Sequence, residues 1–321
     1  MERTVVDTAP VQAAAPAVAV PGEPNIAELP ERTLWGDAWR RFRKHRMART
    51  GLIVYLALVA LVLLGPFIWR VNVLDIDFMA SNAGMSAAHP LGADDLGRDT
   101  LARILSGGRV SIAVGIAAMA VSITLGTLMG ALSGYFGRWV DVVLMRITEV
   151  FLSIPQLPVL LLVTYLFRGV FVGALGPELG VFVMVVSVLG GLNWMSTARL
   201  VRAGFLTLRE REFVEACRCL GVGNGRIIFK HILPNTLSPI IVAATLAVGS
   251  SMIAEATLSF LGLGFPPDFP TWGRLLNDAL NFLTLNPLMA IVPGVMIFLA
   301  VLSINFVGDG LRDALDPRRG P

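Results

Sequence analysis

The sequence predicts an all-α integral membrane protein with six transmembrane helices. Of its 321 residues, 55% are hydrophobic and only 15% are charged, and a water-soluble domain could not bury so much apolar surface. The hydrophobic residues form runs of about 18 or more with few charges, the length that a helix needs to cross the hydrocarbon layer. We find no alternating period of the kind that indicates a membrane β-barrel. The predicted spans are residues 51–69, 109–134, 143–168, 179–201, 236–263 and 287–308.

The segment before the first span divides into two parts. Residues 1–30 are rich in Ala, Pro and Val and lack the basic start of a signal peptide, so we expect a disordered cytoplasmic tail. Residues 31–50 contain the run RRFRKHRMAR, in which six of ten residues are Lys or Arg. Trp35, Trp39 and Phe42 recur beside these charges at helical spacing, which is typical of an amphipathic helix on the inner membrane surface. The adjoining span argues against a nucleic-acid partner.

Lys and Arg are distributed unevenly between the segments that connect the spans. With the N-terminus inside, 20 of the 26 Lys and Arg lie in cytoplasmic segments and 6 lie in external ones. Because positive charge accumulates on the cytoplasmic side, we expect both termini there. Residues 51–308 then form the transmembrane domain, residues 309–321 form a cytoplasmic C-terminal tail, and the connection at about 204–235 is cytoplasmic.

This connection, between the fourth and fifth spans, has the pattern of a folded element. Apolar or small residues fall at i, i+1, i+4 and i+7 on one predicted helix face: Phe213, Val214, Cys217 and Leu220. Gly221 follows where a left-handed residue would end the helix. A Gly-Asn-Gly turn and a second apolar pattern before Pro234 come next, so we expect two short helices folded across each other, a form suited to docking.

The residues of this connection match a known motif. Glu215-Ala216, Gly221 and Leu233-Pro234, placed between the fourth and fifth of six spans, resemble the EAA motif of ABC importer permeases. Cys217 occupies the third position of that motif, a small-for-small change. In that family the helix before the glycine is a coupling helix that fits a groove in a cytoplasmic ATPase.

Three other stretches narrow the resemblance to one subfamily. They are HPLGADDLGRDTLARILSGGRVS at 89–111, EATLSFLGLGFPPDFPTWG at 255–273 and NFVGDGLRDALDPR at 305–318. All three resemble the C-type permease subunits of dipeptide, oligopeptide and nickel ABC importers. The resemblance covers about residues 32–318, which is nearly everything except the N-terminal tail.

The resemblance implies a fold, partners and a location. It implies the type I permease fold, half of a translocation pathway for peptides, and a bacterial inner-membrane location. The implied partners are a homologous second permease, two cytoplasmic ABC ATPases that bind ATP and Mg, an external binding protein and membrane lipid, without nucleic acid. Contact with the ATPase is implied for one set of residues: Phe213, Val214, Glu215, Ala216, Cys217, Leu220 and Gly221.

The residues themselves leave other functions to be weighed. We expect no catalysis, cofactor or metal in this chain, because no Walker A sequence occurs and the cysteines and histidines lack metal-ligand spacing. A stand-alone secondary transporter would need an ion-coupling acid, for which Glu255 is the one plausible candidate. Nickel, glutathione, opines and oligosaccharides remain alternative cargoes to peptides.

Two further groups are candidate functional residues. Glu255, Pro155 and Pro293 interrupt apolar runs, so we expect them at the pathway, the bundle interior or a subunit interface. The second group forms an external charge cluster: Asp94, Asp95, Arg98 and Asp99. This cluster could contact a binding protein or a cation. Alternatively, Arg98 pairs with a neighbouring carboxylate and Asp99 or Thr100 caps a short helix.

Overall fold

The computed structural model describes residues 34–316, which form a helical bundle. The predicted tail at residues 1–30 lies outside these residues, as do residues 317–321. The main helices are α1 (Leu34–Lys44), α2 (Arg46–Ile68), α3 (Thr100–Phe136), α4 (Arg138–Ser153), α5 (Gln156–Leu175), α6 (Pro177–Arg209), α7 (Glu212–Cys219), α8 (Asn224–Phe260), α9 (Trp272–Ala279) and α10 (Leu288–Leu315). Six of them, α2, α3, α5, α6, α8 and α10, are long and apolar enough to cross a membrane. The predicted all-α class and its six spans are confirmed.

The basic segment before the first span is divided at His45. This residue caps α2, because its ring Nδ1 accepts a hydrogen bond from the Ala48 amide at 3.1 Å. The shorter helix α1 packs through the buried Phe42 against the last turns of α10. Arg41 also donates to the Asp316 carbonyl at 3.2 Å. The basic helix is therefore attached to the end of the last span.

The centre of the bundle is a close contact between α3 and α6. Three glycines of α3, at 126, 130 and 134, repeat every four residues and so lie on one face of the helix. A β-carbon at Gly126 would lie 2.6 Å from the Thr197 side chain, and one at Gly134 would lie 2.9 Å from the Arg202 carbonyl. Small residues at such spacing allow two membrane helices to approach closely. The pair α3–α6 is thus the frame on which the other helices pack.

The third span begins later than the sequence pattern indicates. The prediction of one helix over 143–168 is wrong, because the chain breaks at Ile154 and Pro155 between α4 and α5. Ile154 adopts an extended conformation, which the residue before a proline favours. The helix α4 is held to α6 instead: Arg202 donates to both Asp141 oxygens at 2.5 and 2.6 Å. These hydrogen bonds hold the pKa of Asp141 below its ordinary value.

The fifth span begins earlier than expected. The second short helix predicted in the 204–235 connection is fused to the span, so that α8 runs without interruption from Asn224 to Phe260. A π-helical turn at Ile227–Ile232 joins the two parts, and the Leu233 amide donates to the Ile228 carbonyl five residues earlier. Pro234, which follows, cannot donate a backbone hydrogen bond. The wider turn lets the helix pass this proline without a break.

Candidate functional site

The short helix α7 rests on the end of the bundle formed by α3, α6 and α8. Val214 is fully buried and belongs to an apolar cluster with Phe205, Ile227 and Ile232. Cys217 is half-buried against the same cluster. These side chains pack α7 against the ends of the spans.

The predicted single face of α7 is divided between two sides of the helix. Phe213 and Leu220 are 40% and 82% exposed and point away from the bundle. The prediction that they share a face with Val214 and Cys217 is wrong, because Phe213 is rotated by about 100° from Val214 and Leu220 lies beyond the last residue of α7. The outward side of α7 also exposes Glu215 and Ala216. The exposed surface therefore combines two large apolar side chains with a charged one.

Gly221 ends α7 in the left-handed conformation that its position indicates. Its φ is +73°, its amide donates to the Arg218 carbonyl at 3.0 Å, and the Val222 amide donates to the Cys217 carbonyl at 3.0 Å. This pair of hydrogen bonds is a Schellman motif, in which glycine is the favoured residue. A β-carbon at Gly221 would meet no atom within 4 Å. The requirement for glycine is therefore one of backbone conformation alone.

Tyr135, at the end of α3, is an attachment point that the sequence analysis missed. Its hydroxyl donates to Asn224 Oδ1 at 2.8 Å, and the Arg218 guanidinium lies 5.7 Å from its ring centroid. Arg209 of α6 adds a hydrogen bond to the Gly134 carbonyl at 3.2 Å. Tyr135 thus contacts Arg218 of α7 and Asn224 at the start of α8, and Arg209 joins α6 to α3.

Glu255 lies inside the bundle, one of the places predicted for it. It is 1% exposed, and its two oxygens accept hydrogen bonds from Ser259 Oγ at 2.7 Å and from Ser111 Oγ at 3.0 Å. Ser111 Oγ in turn accepts from the Trp272 amide at 3.2 Å. The carboxylate therefore joins α8 to α3 and, through Ser111, to α9. A buried acid with such partners holds these helices in register.

Replacing Glu255 by leucine should destabilise this junction. The serine hydroxyls would remain buried without their acceptor, and each buried unsatisfied polar group costs about 1–3 kcal/mol. We expect a clearly lower melting temperature for purified Glu255→Leu and a smaller decrease for Glu255→Gln, whose amide keeps one acceptor oxygen. Equal melting temperatures for the wild type and Glu255→Leu would contradict this account.

The external charge cluster is an interior network and not an open surface. Asp94, Arg98 and Asp99 are 2%, 6% and 2% exposed, while Asp95 is partly exposed. The expectation that these residues present a contact surface is therefore wrong for the first three. As the structural alternative predicted, Arg98 Nε donates to Asp94 Oδ2, at 2.7 Å.

The network extends to residues that the sequence analysis did not single out. Arg103 forms an ion pair with Asp94 and another with Asp278, the latter at 3.0 Å. Arg274 Nε lies 2.9 Å from the other oxygen of Asp278. The paired charges connect the start of α3 to α9, although 175 residues separate Arg103 from Asp278. No sequence pattern indicates a pairing over that distance.

Asp99 caps a helix, as the alternative stated, but the helix is the second span itself. Its Oδ1 accepts a hydrogen bond from the Ala102 amide at 2.7 Å and one from the Trp69 ring nitrogen at 3.0 Å. His89 Nδ1 lies 3.0 Å from Oδ2. Asp99 thus ties the end of α2 and the loop that follows it to the start of α3.

The two candidate prolines occupy different environments. Pro155 is exposed at the break before α5, whereas Pro293 is buried inside α10, which continues through it.

As for metals, residues 34–316 contain no cluster of three or more His, Cys, Asp or Glu able to hold an ion.

Two family models match the chain. The model described as binding-protein-dependent transport system inner membrane component matches residues 122–321. The model described as N-terminal TM domain of oligopeptide transport permease C matches residues 33–84.

Several relatives are similar to this chain over most of their length. A dipeptide transport system permease protein of Alkalihalophilus pseudofirmus is 38% identical over 88% of this chain and 90% of its own. A glutathione transport system permease protein of Pectobacterium atrosepticum is 39% identical over 92% of this chain and 95% of its own. An oligopeptide transport system permease protein of Haemophilus influenzae is 38% identical over 91% of both chains.

One solved structure shares the fold. A chain of the MetNI methionine ABC transporter in an inward-facing conformation superposes with a TM-score of 0.51 and 21% identity. The match covers 66% of this chain and 96% of that chain. At this identity the similarity establishes the fold of the bundle alone.

Proposed function

Because the chain belongs to the family of binding-protein-dependent transport system inner membrane components, we propose that it is the permease subunit of an ATP-driven importer of peptides. The family is one of multi-pass inner-membrane permeases and not of enzymes. Relatives named for dipeptide and oligopeptide transport, each covered over about nine tenths of its length, support peptides as the cargo. The chain would form half of the pathway, and a homologous permease would form the other half.

The proposed energy source is a pair of separate cytoplasmic ATPases that bind ATP and Mg. The helix α7 would dock on one of them through its outward side, where Phe213, Glu215 and Leu220 are exposed. This assignment places α7 and both termini in the cytoplasm, in agreement with the distribution of Lys and Arg. An external binding protein would deliver the cargo to the opposite end.

The proposed mechanism follows from the way α7 is seated. When ATP binding closes the ATPases, each coupling helix moves with its groove. Since Val214 and Cys217 pack on the cluster beneath and Tyr135 bonds to Asn224, a displacement of α7 also displaces the ends of α3, α6 and α8. The spans would then rock between inward-facing and outward-facing arrangements. The proposal rests on one observation: α7 is packed against the bundle on one side and exposed on the other.

Gly221→Val should separate coupling from folding. A branched residue in the left-handed conformation costs about 1–2 kcal/mol, and the valine side chain meets no clash, so α7 should end differently while the bundle remains intact. We expect normal membrane insertion with reduced ATPase docking or peptide uptake, measured on purified complex. Gly223→Val, at a glycine with negative φ and open space, is the matched control. Normal uptake by Gly221→Val would count against the role of this terminus.

The cargo and the transporter class have specific alternatives. The glutathione permease relative supports glutathione, itself a small peptide, as an alternative cargo. A secondary transporter would require an ion-coupling acid, but Glu255 is enclosed by serine hydroxyls and does not reach the surface. The importer remains the function that the geometry supports best.

Gentle purification from the native membrane tests the assembly. We expect mass spectrometry to identify two ATPase subunits and a second permease with the wild-type chain, and fewer ATPase subunits with Gly221→Val. A chain that is isolated alone and still transports cargo without ATP would overturn the proposal in favour of a secondary transporter.

A further inference from the structure

The break between α4 and α5 lies within the depth of the membrane. On neighbouring α6, no charged residue occurs between Glu178 and Arg199. These 20 residues span about 30 Å, the thickness of the hydrocarbon layer. Gln156 Nε2, at the start of α5, donates to Asn193 Oδ1 at 2.9 Å. Asn193 lies six residues, about 9 Å along the helix, before Arg199, so the break lies beside the uncharged stretch of α6.

The break leaves polar groups without helical partners. Pro155 and Pro158 have no amide hydrogen, so the carbonyls of Phe151 and Ile154, four residues before them, lose the donors that a continuous helix would supply. Gln156 uses its amide nitrogen on Asn193, and its oxygen has no partner among residues 34–316. The break thus presents backbone carbonyls and the side-chain oxygen of Gln156 as hydrogen-bond acceptors.

These groups are not covered by the rest of the chain. All nine residues from 150 to 158 are exposed, and none of them is charged. Lipid tails cannot accept or donate hydrogen bonds, and irregular backbone at this depth is tolerated only inside protein or beside water. The break must therefore face either a water-filled space or another protein subunit.

A polar stripe on α6 favours water. Ser196, Arg199 and Thr207 are exposed. With Asn193 and the small exposed residue Ala203, they recur at intervals of three or four residues on one side of the helix. The stripe runs from the break to the end of the bundle that carries α7. Arg199 is exposed and makes no ion pair within residues 34–316, and an unpaired charge at membrane depth requires water around it. An open aqueous channel accommodates such a stripe better than a packed interface does.

We propose that the break at 153–156 is part of the wall of the translocation pathway and hydrogen-bonds the amide groups of the passing cargo. The inference rests on the proposed function and specifies where the cargo runs. The carbonyls of Phe151 and Ile154 accept hydrogen bonds from backbone N–H groups, and the amide of Gln156 can accept and donate. An uncharged set of this kind suits a peptide backbone of any sequence, which a peptide importer has to accept.

Cysteine labelling of the complete complex in lipid vesicles tests the location. In a Cys217→Ser, Cys219→Ser background, we expect Gln156→Cys and Ser196→Cys to react with a water-soluble, charged methanethiosulfonate at least ~10-fold faster than Ile53→Cys. Ile53 is a matched control because it is 61% exposed on α2, about 10 Å along the helix from Arg46. A peptide cargo should slow the labelling at position 156.

A second variant tests the contact with cargo. Gln156→Leu should lower peptide uptake about 2- to 10-fold, the value of one amide hydrogen bond, while ATP hydrolysis and assembly are retained. If Gln156→Cys does not react with the reagent but cross-links to the second permease, the break faces a subunit interface and the inference is overturned. If Gln156→Cys neither reacts nor cross-links, the break faces lipid, which also overturns the inference. ATP-driven uptake by the parent complex is measured alongside. If the parent complex shows such uptake, a negative labelling result contradicts only this inference. If it shows none, the proposed function itself fails.

Discussion

Asp94→Ala is expected to cost about 3–5 kcal/mol of stability, the largest loss that we predict for any single substitution. Asp94 accepts from Arg98 and Arg103, both nearly inaccessible to solvent. Removing the carboxylate leaves two buried guanidinium groups without one of their anionic partners. An unpaired buried charge costs more stability than removal of both charges of a pair. A large decrease in melting temperature and in yield of folded protein should follow.

Asp95→Ala is the control for this prediction. The neighbouring residue is partly exposed, and its backbone carbonyl, which accepts from Ser81 at 2.7 Å, is unchanged by the substitution. We expect a change of about 0.5 kcal/mol or less. Similar melting temperatures for the two variants would show that the network contributes little. A double substitution, Asp94→Leu with Arg103→Met, should recover part of the loss because it removes both charges.

Leu220→Asp should abolish ATPase docking without affecting the bundle. Leu220 is 82% exposed, so the fold does not depend on its side chain, and a charge there would be desolvated in an apolar groove. Central apolar residues of an interface commonly contribute 2 kcal/mol or more, about 30-fold in affinity. We expect an unchanged melting temperature, at least ~10-fold less co-purified ATPase and a similar loss of uptake.

The matched control is Leu285→Asp. Leu285 is 68% exposed in the connection between α9 and α10, at the opposite end of the bundle from α7. This variant should retain the ATPase subunits in full. If Leu220→Asp retained them as well, α7 would not be the docking element.

Local features of the fold could be predicted from the sequence because local residues determine them. The six apolar runs, the helical conformation of α7 and the left-handed Gly221 each depend on a few neighbouring positions. Pro155 is also apparent from the sequence, and Pro158 follows it three residues later. Their effect was underestimated, because membrane helices often pass a single proline but here two occur within four residues.

Contacts between distant segments could not be predicted in this way. The pairing of Arg103 with Asp278 and the bond from Tyr135 to Asn224 arise only when the helices pack. Arg109 shows the same limit: its guanidinium donates to the Val62 carbonyl at 2.8 Å, which has no helical donor because Pro66 stands four residues later. The sequence shows both residues but not that they meet. For α7, the sequence pattern predicts a helix, whereas the burial of Val214 against the spans decides which side is exposed.

ATP-dependent uptake by the reconstituted complex tests the central claim most directly. The purified permease with its partners would be placed in vesicles with the binding protein and a labelled peptide, with ATP supplied on the side of α7. The account predicts accumulation that requires ATP and is lost in Leu220→Asp at unchanged permease content. Equal accumulation without ATP, or full accumulation by Leu220→Asp, would contradict it.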